Sequence, residues 1–335
     1  MRIIIPMAGR GTRLRPHTLM LPKPLFPIAG KPMVQRIVED LASGYDGQVE
    51  EIAFITGDFG KEVERQLITI ANKLGAEGKI YYQDEPLGIA HAILCARESL
   101  NGNCIVVFSD TLFKANFTFD LKEEGIIWVQ KVEDPSSFGV VKVNADEVVT
   151  EFVEKSPVFI SDLAIVGIYY FREAAVLKAA MQHLIDNDIK EKGEYQLTSA
   201  LEIMKQNGAR FKIAAIEEWL DCGNKNNVLL TNRRILEIKK GVEMLRASSV
   251  SVENSQISEP CFIGENVRIR NAVIGPHVSI GNNSVIENSV IQNSVIQSDS
   301  SIKNALLANS IVGNSVRYRG KIRDINLGDY STFEE

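Results

Sequence analysis

Two patterns in this 335-residue chain predict its fold class: strand-length apolar runs alternating with helix-patterned stretches through the first half, and an isoleucine repeat from about Val250. The alternation reads as βαβ units, which bury a mainly parallel sheet under helices on both faces. The repeat fits neither a helix nor a two-sided strand, but it fits a solenoid of short strands. The expected molecule is therefore α/β. A Rossmann-like, mainly parallel mixed sheet flanked by helices occupies 1–240, a short parallel β-helix 241–320 and a polar tail 321–335.

Each element follows from local pattern. Arg2–Met7 is a buried strand, because its apolar run ends at once in the glycine turn Gly9–Gly11. IAFITG (52–57), KIYYQ (79–83) and CIVVFSD (104–110) are further strands, with helical patterning after Phe59 and over GIAHAILCARESL (88–100). Residues 126–171 hold four strand candidates at short spacing, IIWVQKV, FGVVKV, VVTEFVEK and LAIVGIYYF, which reads as a more antiparallel extension. Helices are expected at Ala174–Asn187 and Gln196–Gln206, a last strand at Phe211–Ile216, and a bridging helix at Asn226–Lys240 closed by Gly241. In such sheets ligands sit beyond the C-terminal strand ends, where Gly9–Arg13, Gln83–Gly88 and Ser109–Thr111 fall.

The composition excludes several classes. At 45% hydrophobic and 24% charged it is that of an ordinary globular protein. A net charge of -6 argues against non-specific nucleic-acid binding. No apolar run reaches a membrane span, so no membrane partner is expected. Cys95, Cys104, Cys222 and Cys261 lie far apart, which suits neither a zinc site nor a disulfide framework and points to the cytoplasm. Against that acidic background, Met1–Val38 carries Arg2, Arg10, Arg13, Arg15, Lys23, Lys31 and Arg36 with no acid at all. A local positive block is a site for a small polyanion such as a nucleoside triphosphate. Its loop, Gly9-Arg-Gly-Thr-Arg-Leu14, is neither the dinucleotide fingerprint nor a Walker A loop, so it is a different phosphate cradle.

AGRGTRLRP (8–16) followed by PKPLFPIAGKPM (22–33) resembles the signature of the sugar-1-phosphate nucleotidyltransferases, which join a nucleoside triphosphate to a sugar phosphate and release pyrophosphate. The resemblance runs through about the first 240 residues. It implies that Ala8, Gly9, Gly11, Thr12 and Arg13 hold the triphosphate, that Lys23 lies on the phosphates at the reacting centre, and that Asp110 and Asp221 hold Mg2+. Gln83 and Gly88 match the base-reading segment, and QDEPLGIAHAI looks closer to thymidylyl and uridylyl members than to guanylyl ones. Gly139, Glu154, Lys155 and Glu194 match the sugar-phosphate positions, with Lys155 on the phosphate and Glu194 on the hexose hydroxyls. Arg13, Lys23, Asp110 and Lys155 are thus the expected catalytic set. The chain departs from many members by lacking one further glycine in the loop and by carrying Thr111 where relatives often have Asn.

IGENVRI, IGPHVSI and IGNNSVI resemble the hexapeptide repeats of left-handed β-helices, and a β-helix tail resembles the longer thymidylyltransferases. The implied reaction is nucleotidyl transfer from dTTP or UTP to glucose-1-phosphate. A guanylyltransferase acting on mannose-1-phosphate is the alternative, and a β-helix acetyltransferase with His277 as base is a weaker one. His17, His91, His183 and His277 share no ligand spacing and read as structural or surface residues. A homo-oligomer assembled through both parts is expected.

Overall fold

The computed structural model describes residues 1–114 and 122–321. The chain falls into two compact units, one of Met1–Phe26 with Lys31–Asn224, the other of Pro27–Gly30 with the chain from Lys225. In chain order the elements begin with β1 (Arg2–Pro6), β2 (Pro27–Ile28), β3 (Lys31–Pro32), α1 (Met33–Ser43), β4 (Glu51–Thr56), α2 (Lys61–Lys73), β5 (Glu77–Tyr82), α3 (Ile89–Cys95), β6 (Cys104–Val107) and β7 (Thr111–Lys114). From residue 122 on come β8 (Gly125–Lys131), β9 (Gly139–Val143), β10 (Val149–Glu154), β11 (Leu163–Phe171), α4 (Ala174–Asp186), α5 (Leu197–Gln206), β12 (Phe211–Ala215), β13 (Glu218–Asp221) and α6 (Lys225–Lys239).

The first unit is the expected mixed sheet with helices. Its parallel part runs β6-β1-β4-β5, with β1 at the centre because Ile3, Ile4 and Ile5 can be buried on both faces. β11 then lies antiparallel to β6, and it in turn pairs antiparallel with both β8 and β9. The β9–β10 pair is antiparallel, so the extension has the expected character. The β11–β8 register shifts between Ile165 and Tyr169. Gly167 sits in that interval at φ 87, and a Cβ there would strike the Phe108 ring at 2.6 Å. Glycine therefore lets Phe108 stay at the end of β6, where its N–H donates to the Gly167 carbonyl.

Three details differ from the sequence reading. α1 was not expected, since MVQRIVEDLAS begins beside Pro32 without a polar cap; burial of Val34, Ile37, Val38 and Leu41 along one face holds it instead. α3 ends at Cys95, short of the expected residue 100, because the chain turns at Ala96–Ser99. The stretch EEWLDCGN contains a strand of its own: β13 pairs antiparallel with β7 and sets Asp221 opposite Thr111.

The second unit carries a parallel β-helix from residue 251. Its short strands stack into three parallel sheets, one holding Ser251–Glu253, Arg268–Arg270, Val285–Glu287, Ser301–Lys303 and Arg317–Arg319. Ser251, Arg268, Val285, Ser301 and Arg317 share one register position, so successive coils take 17, 17, 16 and 16 residues. Inside, isoleucine stacks on isoleucine: Ile269 on Ile286 on Ile302, and Ile263 on Ile280 on Ile296, all buried. The corners need left-handed backbone, and Asn254, Asn271, Asn288 and Asn304 supply it at φ 44, 51, 48 and 52. Their amides then bond up the stack, each Nδ2 donating to the next Oδ1 at 2.8–3.1 Å. All but Lys321 of the expected tail at 321–335 lies outside the described residues.

Asn288→Gly keeps the left-handed corner and loses two side-chain bonds, whereas Asn288→Val loses the bonds and forces a β-branched residue to positive φ. The valine variant is expected to be less stable than the glycine one by about 1–2 kcal/mol in urea denaturation. Equal stabilities would show that the corner geometry contributes nothing.

Candidate active site

Two adjoining cavities open at the C-terminal ends of the central strands of the first unit. The larger, about 410 Å3, is walled by the loop after β1 (Ala8, Gly9, Gly11, Thr12, Arg13), by Lys23, and by Gln83, Gly88 and Asp110. The smaller, about 290 Å3, is walled by Gly139, Glu154, Lys155, Asp221, Trp219 and Thr198. Phe108, Ile89, Asp110 and Glu194 line both. Every site residue that the family resemblance implies therefore lines one cavity or the other.

The loop is shaped by glycine. Gly11 adopts φ 57, and a Cβ there would come within 2.8 Å of Lys23 Cβ; its carbonyl accepts from Thr18 Oγ1 at 2.7 Å. Thr12–Leu14 then form one 3-10 turn that leaves Arg13 exposed at the cavity rim. Lys23 starts a second short turn inside Pro22-Lys-Pro24 and is buried, with Nζ 2.5 Å from Asp110 Oδ2. A buried ammonium needs such a partner. Asp110 ends the turn after β6, and its carbonyl accepts from the Cys222 N–H at 3.3 Å, which brings the Asp110 and Asp221 segments side by side.

Gly223 guards that pair: a Cβ there would lie 2.8 Å from Asp221 Oδ2. Asp110 and Asp221 offer hard oxygen donors from adjoining segments, while no group of three or more His, Cys, Asp or Glu placed to hold a metal occurs among the described residues. Two carboxylates suit an ion that keeps waters and takes its remaining ligands from phosphates, which is how Mg2+ is usually held.

The Gln83–Gly88 wall of the larger cavity is spliced to the other cavity by backbone. Tyr195 N–H donates to the Leu87 carbonyl at 2.8 Å, and Ala90 N–H donates to the Tyr195 carbonyl at 3.0 Å. Between them Gly88 stands at φ 114, and a Cβ there would meet the Tyr195 backbone at 2.6–2.7 Å. Gln83 Nε2 donates to the Gly88 carbonyl at 3.1 Å and lies 3.2 Å from His91 Nδ1. Burial pulls the His91 pKa down, against an opposing pull from Glu85, so the ring is held neutral.

In the smaller cavity Glu154 accepts from Thr198 Oγ1 at 3.1 Å and pairs with half-exposed Lys155 at 3.2 Å. Lys155 stands at φ 44, and a Cβ on Gly139 would lie 3.0 Å from Glu154 Oε2. Glu194 accepts from Gln196 Nε2 at 3.2 Å. Tyr169, buried in this wall, has its pKa pushed upward by burial and then by Glu154, so its hydroxyl stays protonated. Trp219 packs on Phe138 with ring centroids 4.8 Å apart, and its indole N–H is buried without a partner among the described residues.

Sequence reading missed Trp219, Thr198 and His91. For Trp219 the signal was present, because it precedes Asp221 by two residues on β13 and so shares its side of the strand. In the second unit His277 Nε2 lies 3.1 Å from Glu237 Oε1, which engages the one histidine considered as an acyl-transfer base.

In sequence and in fold the chain is similar to known proteins. The nucleotidyl transferase family model matches residues 2–238. Over 305 residues the chain is 31% identical to a glucose-1-phosphate thymidylyltransferase of Streptomyces antibioticus, covering 84% of this chain and 83% of that protein. It is 31% identical over 264 residues to a bifunctional protein GlmU of Methanococcus maripaludis, covering 77% of this chain and 60% of that protein. In fold it resembles the crystal structure of a putative glucose-1-phosphate thymidylyltransferase from Bacillus anthracis, with a TM-score of 0.59 at 23% identity over 72% of this chain and 96% of that one.

Gly88→Ala places a side chain against the Tyr195 backbone at a φ that L-residues avoid. It is expected to lower the melting temperature, at a cost of about 1–3 kcal/mol, and to weaken by a similar amount whatever ligand the larger cavity binds in calorimetric titration. Unchanged melting and binding would show that the splice tolerates a Cβ.

Proposed function

The chain belongs to the nucleotidyl transferase family, and from that premise we propose that it transfers a nucleotidyl group from dTTP or UTP to glucose-1-phosphate, giving a nucleotide sugar for polysaccharide synthesis and pyrophosphate. The observation that carries the reading is the pair of cavities sharing Asp110: a glycine loop with Arg13 and Lys23 on one side, Glu154, Lys155 and Glu194 on the other.

The chemistry follows from what the residues offer. A sugar phosphate is already an anionic nucleophile near neutral pH, so no serine, cysteine or histidine must be activated. What the site must supply is in-line positioning and positive charge where the leaving pyrophosphate gains negative charge. The amides of Ala8, Gly9, Gly11 and Thr12, with Arg13, cradle the triphosphate. Lys23, held out of bulk water, sets a fixed cation at the phosphates, and Lys155 fixes the sugar's phosphate. Glu194 accepts hydroxyl hydrogen bonds from the hexose, and Glu154 steadies Lys155.

Asp110 and Asp221 hold Mg2+, which neutralises charge on the phosphates. Nucleotidyl transferases of this family generally use a divalent metal, and Mg2+ is the ion that suits two carboxylates with phosphate oxygens. We assign catalysis to 1–240 and an assembly role to 241–320. The protein then works in the cytoplasm as a homo-oligomer, and exposed Val273, Val290 and Leu306 give one β-helix face an apolar stripe for contact. A monomeric sedimentation profile would remove the assembly role.

The decisive measurement is pyrophosphate release from one nucleoside triphosphate and one sugar phosphate, with the product identified by mass spectrometry. Turnover is expected with dTTP or UTP and glucose-1-phosphate. Turnover confined to GTP and mannose-1-phosphate would shift the assignment within the family, and none across the panel would sink it. Lys23→Ala and Asp110→Asn are each expected to lower kcat on the order of 10²–10³-fold, the usual loss on removing one preorganised charged group, and Asp110→Asn, which leaves the buried Lys23 ammonium uncompensated, is expected to lower the melting temperature as well. Gly223→Ala, which crowds Asp221, should raise the Mg2+ concentration needed for half-maximal rate.

A further inference from the structure

His91 has no part in the chemistry above, yet its ring faces the residue placed to read the base. Gln83 Nε2 lies 3.1 Å from the Gly88 carbonyl oxygen and 3.2 Å from His91 Nδ1. A carbonyl oxygen only accepts, so the Gln83 atom facing Gly88 is the amide nitrogen, an assignment made from the network itself. Both N–H groups of that nitrogen then have acceptors, provided His91 Nδ1 carries a lone pair and the ring proton is on Nε2. The amide's other polar atom, Oε1, has no hydrogen-bond partner among the described residues, and Gln83 lines the larger cavity.

We infer that His91 is a positioning residue that fixes the Gln83 amide with Oε1 as the atom offered to the base, so that the site selects bases presenting an imino N–H over bases presenting a ring-nitrogen acceptor. This rests on the larger cavity being the nucleotide site. Thymine and uracil present N3–H and guanine N1–H, whereas cytosine N3 and adenine N1 only accept. Facing Oε1, a cytosine or adenine sets two acceptors together. An amide turned over to suit them would set Oε1 against the Gly88 carbonyl and Nε2 away from both of its acceptors, leaving polar groups unpaired.

The surroundings keep His91 in the accepting state. The ring belongs to α3 and, with Leu94, Cys95, Arg97 and the α4 residues Gln182 and Ile185, lines a hollow of about 210 Å3. The titratable and charged groups near it are Glu85 from the preceding loop, Cys95, whose thiol donates to the His91 carbonyl, and Arg97. Burial lowers the ring's pKa more than Glu85 raises it. The neutral ring, the only form that can accept at Nδ1, is therefore present at neutral pH and is lost only as pH falls through a value below the ordinary imidazole value of about 6.5. Protonation sets an Nδ1–H against the Gln83 N–H and releases the lock.

The test compares the full-length protein with His91→Leu, which removes the acceptor, and His91→Asn, whose Oδ1 can replace Nδ1. The readouts are kcat and KM for the best of dTTP, UTP and GTP, and the ratio of its kcat/KM to that for CTP. His91→Leu is expected to raise KM and to narrow the ratio about tenfold while kcat changes little, as one misdirected hydrogen bond requires. His91→Asn is expected to keep the parent's ratio at neutral pH and, unlike the parent, to keep it unchanged however far the pH is lowered while the protein stays folded. An unchanged ratio in His91→Leu, or a fall in kcat alone, overturns the inference and leaves the proposed reaction standing. If the parent turns over no substrate pair, the same ratios are read as Kd by calorimetry with the five triphosphates. There a parent binding CTP or ATP as tightly as dTTP overturns the inference, as does a parent binding none of the five.

Discussion

The contact between Lys23 and Asp110 joins segments 87 residues apart and fixes the centre of the site. On one side it pins the glycine loop that follows β1, on the other the turn that follows β6, so two parallel strands end in one charged pair. A buried lysine without that carboxylate would carry an uncompensated charge. With it, the cavity can hold a positive group in place before any phosphate arrives. Preorganisation of this kind is what lets fixed charge stabilise a transition state without reorganising at the moment of reaction.

The same pair constrains how ligands enter. Asp110 cannot give its full charge both to Lys23 and to a metal ion, and Lys23 cannot serve both Asp110 and a phosphate. In the proposed reaction phosphate oxygens would take the carboxylate's place around Lys23, which would leave Asp110 to hold a divalent ion together with Asp221. Either ligand alone leaves one charge short. Placing Asp221 beside Asp110, with Gly223 clearing the space, gives the freed carboxylate its second role.

Much of this was legible in the sequence because it depends on local chemistry. The Gly9–Gly11 turn, the acid-free basic block and the apolar run ahead of Asp110 each announce themselves within a dozen residues. The β-helix was legible for a related reason, since a repeat of nearly constant length reports the coil directly. What escaped is what tertiary packing decides. α1 is held by the face it buries rather than by a cap, and β13 exists because β7 offers it a partner. His91 could not be read as more than a structural histidine, because only the loop and first turn of α3 that curl back over eight positions bring Gln83 against it. Trp219 stood in plain view beside Asp221, but only its buried, unpartnered N–H sets it apart from an ordinary core indole.

In the proposed reaction the backbone splice at Tyr195 would join base recognition to sugar recognition. Leu87 and Ala90 flank Gly88 at the larger cavity, and both bond to the main chain of Tyr195, the neighbour of Glu194, which lines both cavities. A shift of the Gln83–Gly88 loop would therefore tend to carry Glu194 with it. Reaction in line tolerates displacements well below an ångström, so two separately mobile walls would lose much of the advantage of bringing the substrates together. A pair of main-chain hydrogen bonds across a residue that only glycine can occupy makes the walls one body. The charges at Lys23 and Asp110 then meet a geometry already set by the two ligands they serve.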